Sequence, residues 1–172
     1  MEDGQTNQPG SVSIRIASPQ EGERLRQIAI SSKSYWGYDL DRVRQWAAVG
    51  DWSPQGLRAK EVYVAQVDER LVAWAALIPK GELAWLDDLW VEPEWHGQDI
   101  GSRLFSHALE RARQLGAKRL ECEAEPNAIG FYEKMGAHYL RDGEQTVFGR
   151  AIPVMGLDLA PASRAGDFAE SL

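Results

Sequence analysis

The sequence predicts one α/β domain with a mixed sheet, and three observations carry that reading. Short runs alternate apolar and polar residues with period two, as in Val12–Ala17 and Glu61–Val67. One long run repeats at helical spacing instead, with Ile100, Leu104, Ala108, Ala112 and Leu115 on one face. The order is strand, two helices, three strands, helix, strand, helix, two strands. Strand and helix do not alternate strictly, and no G-x-x-x-x-G-K-S/T or G-x-G-x-x-G occurs, so a doubly wound nucleotide fold is disfavoured.

The elements follow in chain order. Residues 1–10 are polar with Gly and Pro and are expected to form a disordered tail. Val12–Ala17 is a strand, stopped by Ser18-Pro19, and Glu21–Ser32 a helix that buries Leu25, Ile28 and Ala29. After the aromatic linker Ser31–Asp39, a second helix spans about Asp39–Val49 with Asp39 as N-cap. Gly50–Gly56 reads as loop by composition. Glu61–Val67, Leu71–Ile78 and Glu82–Val91 are three strands, the first two joined by the short turn Asp68–Arg70.

Asp99–Leu115 is the clearest helix, ended by Gly116. Ala117–Cys122 is a strand, and Pro126 opens a short helix to about Met135. His138–Arg141 and Pro153–Leu159 read as the last two strands, around a turn at Arg141–Glu144. The domain then spans 11–160, and 161–172 is a flexible tail.

Composition narrows the function classes. The 172 residues suffice for one sizeable core. A net charge of −7 argues against nucleic acid and anionic membrane as partners. One cysteine, Cys122, permits no intrachain disulfide and fits a reducing compartment. Residues 1–10 lack the basic start and apolar core of a signal peptide, and the longest apolar run, Leu71–Pro79, is too short to span a bilayer. A cytoplasmic protein is expected. Three histidines and one cysteine show no metal-ligand spacing, so no metal is expected.

The stretch Leu86–Leu115 is strand, Gly-containing turn, helix, which puts bare backbone N–H groups at a helix mouth suited to phosphate. Its turn, His96-Gly97-Gln98-Asp99-Ile100-Gly101, follows Val91-Glu92-Pro93-Glu94-Trp95; further on stands Asn127-Ala-Ile-Gly-Phe-Tyr-Glu-Lys-Met-Gly-Ala. These two motifs resemble those of the GNAT acyltransferase superfamily, and the resemblance runs from about Val12 to Leu159. It implies a mostly antiparallel sheet splayed between its fourth and fifth strands, and acetyl-CoA as co-substrate.

Residue by residue, the resemblance implies that His96, Gly97, Gln98, Asp99, Ile100, Gly101 and Ser102 bind the pyrophosphate. Leu89, Trp90 and Val91 offer backbone to the pantetheine arm and thioester carbonyl, while Asn127 and Phe131 also meet the cofactor. Tyr132 is the acid that protonates the leaving sulfur. Two departures stand out: Asp99 replaces a family glycine, and His96 the usual Arg or Gln. Asp tolerates unusual backbone conformations, but its carboxylate repels a pyrophosphate by about 1 kcal/mol at a screened 4 Å.

Asp87 and Asp88 lie within an otherwise apolar strand. Strict alternation sends them to opposite faces, Asp87 with Leu89 and Val91. Family members that acetylate polyamines carry a carboxylate pair here, which makes Asp87 the first candidate for the base and Asp88 the second. For either, the alternative is an ion pair with a neighbouring Arg or Lys, favoured for Asp88. Tyr35, Trp36 and Tyr38 fall in a loop that borders the family's acceptor pocket, as walls of that pocket or as a lid on the core. His107 is expected on the exposed side of its helix, and Cys122 as a small core residue.

The expected activity is acetyl transfer from acetyl-CoA to a primary amine of a small molecule, by direct attack. The alternatives are a non-catalytic acyl-CoA sensor and a peptide or protein N-acetyltransferase. Dimerisation is expected only by analogy with the family.

Overall fold

The computed structural model describes residues 10–146 and 148–161. The two expected tails therefore lie outside the described residues, apart from Gly10 and Pro161. Seven strands, β1 (Val12–Ile16), β2 (Glu61–Val67), β3 (Arg70–Lys80), β4 (Leu83–Val91), β5 (Arg119–Glu123), β6 (His138–Gln145) and β7 (Ala151–Asp158), form one sheet in the order β1-β2-β3-β4-β5-β7-β6. Among the described residues, five α-helices flank it: α1 (Gly22–Ser34), α2 (Leu40–Ala48), α3 (Pro54–Arg58), α4 (Ile100–Gln114) and α5 (Ile129–Lys134). Every strand pair is antiparallel except β4–β5, which α4 joins as a crossover. The sheet is therefore mixed, as the sequence predicts. Among the described residues, no helix is long and apolar enough to cross a membrane.

Two cores sit on opposite faces. One packs α4 through Ile100, Leu104, Phe105, Ala108 and Ala112 onto Tyr63, Ala65, Ala75, Leu77 and Leu86. The other packs α1 through Leu25, Ile28 and Ala29 onto Val62, Val64, Trp74 and Ala76. The alternation of β2 and β3 thus sorts residues to the two faces as the period-two pattern requires.

β4 departs from that rule. Leu86 pairs with Leu77 and Asp88 with Ala76, so Asp87 is an extra residue, a β-bulge. The bulge reverses the phase of the strand. Ala84 and Leu86 face α4 before it, Leu89 and Val91 still pack on that core after it, and Trp90 packs on the opposite core. Among the described residues, β4 meets β5 only over Leu83–Trp85. From Leu86 onward the two strands splay apart.

Two expectations are corrected. Gly50–Gly56 is not all loop: Ser53 caps α3, its Oγ accepting from the Gly56 N–H at 3.2 Å, with Pro54 at the first helical position. The turn expected at Arg141–Glu144 lies inside β6, and the chain reverses at 146–150, where the Thr146 N–H donates to Arg150 O. Asp142-Gly143 has hairpin-turn chemistry, but Gly143 serves close approach, since a Cβ there would stand 2.5 Å from the Ile152 carbonyl oxygen.

Candidate active site

The bulge decides where the two carboxylates go. Strict alternation would part them, but the extra residue at Asp87 lets both side chains reach one ammonium. Lys60 Nζ donates to Asp87 Oδ2 and lies 3.7 Å from Asp88 Oδ2. The expectation that Asp87 shares a face with Leu89 and Val91 is therefore overturned, and the ion pair favoured for Asp88 joins both aspartates. Asp88 is the more enclosed, its side chain 17% exposed against 29% for Asp87. Burial first, and then the neighbouring Asp87 charge, push the Asp88 carboxyl up to about 7. The Trp90 indole N–H, donating to Asp88 Oδ1 at 2.9 Å, and the Lys60 charge pull the other way.

The turn before α4 is held by its own polar groups. The Gln98 amide donates to Glu94 O, and His96 Nε2 lies 3.0 Å from Val91 O. Asp99 stands at the N-cap with φ +65°, the left-handed conformation that a glycine adopts at no cost. Among the described residues its side chain makes no capping hydrogen bond, so it does not occupy the first-turn N–H donors of α4. Gly101 faces Phe131 and Val91, where an added Cβ would sit 3.6 Å from each.

Across the splay, Pro126–Ala128 forms a 3-10 turn ahead of α5. Asn127 lies inside that turn and is not the helix cap that an Asn before a helix would suggest; its amide donates to Glu125 Oε1 at 3.2 Å. Phe131 and Tyr132 pack on Phe105. Tyr132 is 6% exposed, and burial, with help from Cys122 and the Asp88 charge, holds its phenol well above the ordinary value. Burial also pushes the Cys122 thiol up to about 12, which leaves it a core residue and no nucleophile.

The aromatic linker divides. Trp36 lines the cleft, while Tyr35 is 57% exposed and packs edge-on against Trp36 and His96. Tyr38 lies behind the cleft wall, its hydroxyl donating to Glu125 Oε1 at 2.6 Å and accepting from Arg150. Gln98, too, folds away from the cleft wall onto Glu94. His107 is half-buried against the Tyr63 ring, with centroids 4.5 Å apart, which corrects its expected exposure.

Sequence reasoning missed three groups that the cleft contains, Lys60, Lys33 and Glu125. Lys60 gave no signal. Lys33 did give one: it continues the buried stripe Leu25, Ile28, Ala29, Ser32 of α1, where a charge needs a partner. Its ammonium is buried, 3.1 Å from Glu125 Oε2 and 4.8–5.7 Å from the ring centroids of Tyr38, Trp46, Trp90 and Phe148. Burial alone raises the Glu125 carboxyl, but the bonds from Tyr38 and Lys33 outweigh it and hold the group below its ordinary value.

One cavity of about 910 Å³ unites these parts. It touches Lys60, Asp87 and Asp88 on one wall, Gly97–Ser102 except Gln98 on another, and Asn127, Phe131 and Tyr132 on a third.

Comparison with known proteins bears on this geometry. The family model described as Acetyltransferase (GNAT) family matches residues 23–137. The peptidyl-lysine N-acetyltransferase YjaB of Salmonella typhimurium is 29% identical over 155 residues, spanning 85% of this chain and 97% of that protein. A GCN5-related N-acetyltransferase structure from Rhodopseudomonas palustris superposes with TM-score 0.74 at 22% identity, covering 88% of this chain and 98% of that one. PaiA N-acetyltransferase from Thermoplasma acidophilum, solved with coenzyme A, gives TM-score 0.72 at 22% identity over 86% and 99% of the two chains.

The raised Asp88 pKa has a consequence for stability. A carboxyl whose folded pKa lies above its unfolded value near 4 binds more protons when folded, so its contribution is full below pH 4 and is lost as pH rises through about 7. Asp88→Asn is therefore expected to raise stability more at pH 8 than at pH 5, measured by urea denaturation at both.

Proposed function

The chain belongs to the GNAT acetyltransferase family, whose members are acetyl-CoA-dependent N-acetyltransferases, and on that footing we propose that its acceptor is a primary amine of a small molecule, attacked directly. The observation that carries this reading is the meeting, in one cavity, of a splayed strand edge, an open helix mouth, a carboxylate pair and a buried phenol.

Acetyl-CoA fits the parts in order. The first-turn N–H groups of α4 and the turn Gly97–Ser102 suit the pyrophosphate. The Leu89–Val91 edge, without β5 as partner, offers backbone groups to the pantetheine arm and to the thioester carbonyl. Asn127 and Phe131 line the same channel. His96, held by Val91 O and stacked with Trp36, borders its mouth. Asp99 adopts the glycine-like backbone and leaves the donors free, which weakens the case for a sensor that binds without turnover.

The chemistry then needs a proton taken from the amine and a hydrogen-bond donor for the departing sulfur, which leaves as thiolate and takes its proton from solvent. The Asp87–Asp88 pair accepts the amine proton, and Asp88, with a pKa of about 7, is balanced between the two protonation states at neutral pH. This moves the base from Asp87 toward Asp88. The amine nitrogen bonds to the thioester carbon, and the C–S bond breaks as the thiolate leaves. Tyr132 stays protonated, because its pKa lies well above 10. A thiol has a pKa near 8.5, so Tyr132 acts chiefly by a hydrogen bond to the developing thiolate.

A peptidyl-lysine acceptor is the second reading. It is favoured by the Salmonella relative, a peptidyl-lysine N-acetyltransferase that this chain matches over nearly all of that protein's length.

A thiol-release assay across a panel of small amines and lysine peptides tests these roles. Asp88→Asn is expected to lower kcat on the order of 100-fold, the low end of general-base catalysis, with Tyr132→Phe also lowering kcat. Full activity in both variants would reject the assignment. Asp99→Gly is expected to tighten acetyl-CoA by about fivefold, since it removes roughly 1 kcal/mol of repulsion; isothermal titration reads the change.

A further inference from the structure

Lys60 occupies the place that a substrate ammonium would take. Its Nζ is held by the two carboxylates proposed to receive the acceptor's proton, on the cleft wall and 35% exposed. It reaches them from the residue just before β2, across β3, on the face that carries Trp90 and the α1 core. The strand edge proposed to hold the thioester begins at the next residue, Leu89. A second ammonium in the same cleft, Lys33, is enclosed by Glu125 and four aromatic rings and is only 4% exposed, so it is not free to move. Among the described residues Lys60 has no such cage.

We infer that Lys60 is an internal acceptor, acetylated on Nζ within its own chain when no free amine displaces it from the Asp87–Asp88 pair. This rests on the acetyl-CoA reading given above. The step balances as for any amine. The Lys60 ammonium gives one proton to Asp88, its lone pair bonds to the acetyl carbon, the C–S bond breaks, and the CoA thiolate is protonated on release. The second proton leaves the nitrogen as the amide forms and is the equivalent that the thiolate takes up through solvent, so Asp88 ends protonated and the CoA leaves as thiol. The product is a neutral acetyl-lysine and free CoA, with no further reactant.

The same environment sets the pace. Burial favours the neutral amine, but bonds and charges from Asp87 and Asp88 outweigh it and keep Lys60 above its ordinary value. Asp51, in the loop before α3, lines the same cavity. Loss of the Lys60 charge leaves the two aspartates without their common partner, so acetylation changes the acceptor site and does not merely decorate it.

The test incubates the whole protein with acetyl-CoA and no acceptor, and follows intact mass and peptide maps. Lys118, 73% exposed and ion-paired only with the equally exposed Glu82 among the described residues, gives the background of uncatalysed acetylation. Lys60 is expected to gain one acetyl group on the order of 100-fold faster than Lys118, at a rate independent of protein concentration. Lys60→Arg keeps the charge and should lose that modification alone, Asp88→Asn should bring Lys60 to the Lys118 rate, and a good acceptor amine should slow it. Lys60 acetylated no faster than Lys118, while thiol release with amines proceeds, overturns the inference and leaves the transfer reading standing. No thiol release with any amine and no acetyl-CoA binding overturns both.

Discussion

One ammonium between two neighbouring carboxylates governs the arrangement of this cleft. Asp87 and Asp88 are adjacent in sequence, and an unbroken strand would send them to opposite faces. The single extra residue of β4 puts them on a common cation, Lys60. Burial and then the adjacent Asp87 charge disfavour ionised Asp88, and the Trp90 N–H and Lys60 only partly offset this, which raises the Asp88 carboxyl to about 7. The same bulge reverses the phase of β4, so that Leu89 and Val91 stay on the α4 core while Trp90 turns to the α1 side. β4 keeps β5 for only three residues and then frees its edge. The carboxylate pair and the freed strand edge of the cleft thus both lie at or beside that one irregularity.

The cleft is acidic in composition but largely compensated. Glu125 is paired with Lys33 and bonded by Tyr38 and Asn127, and Asp87 and Asp88 share Lys60. Charges removed from water in this way need such partners, since an isolated buried carboxylate would cost several kcal/mol. The compensation also shapes what can enter. Lys33 already fills the aromatic cage of Tyr38, Trp46, Trp90 and Phe148, so the free space for an acceptor lies nearer Lys60, Trp36 and Tyr132.

Much of this is written locally in the sequence, and some of it is not. The long helix, the paired strands β2 and β3 and the two motifs around the cleft were legible, because each depends on residues close in the chain. Ser53-Pro54 was a readable helix start hidden in a loop-like composition, and Lys33 a readable anomaly, a charge on an apolar helical stripe. The bulge was not legible. It is a property of the register between β3 and β4, and alternation gives no warning of where one strand takes an extra residue. Lys60 is invisible for the same reason, since its meaning depends on strands brought beside it. The opposite error occurred at Asp142-Gly143, where strong turn chemistry serves a close strand contact instead.

The most direct measurement is a carboxyl titration of Asp87 and Asp88 by carbon-13 NMR in the intact protein, with single Asp→Asn variants for assignment and Lys60→Met alongside. Asp88 should titrate near 7 and move higher when the Lys60 charge is removed. Two carboxyls titrating independently in the ordinary range near 4, unmoved by Lys60→Met, would contradict the shared-ammonium account on which the site rests.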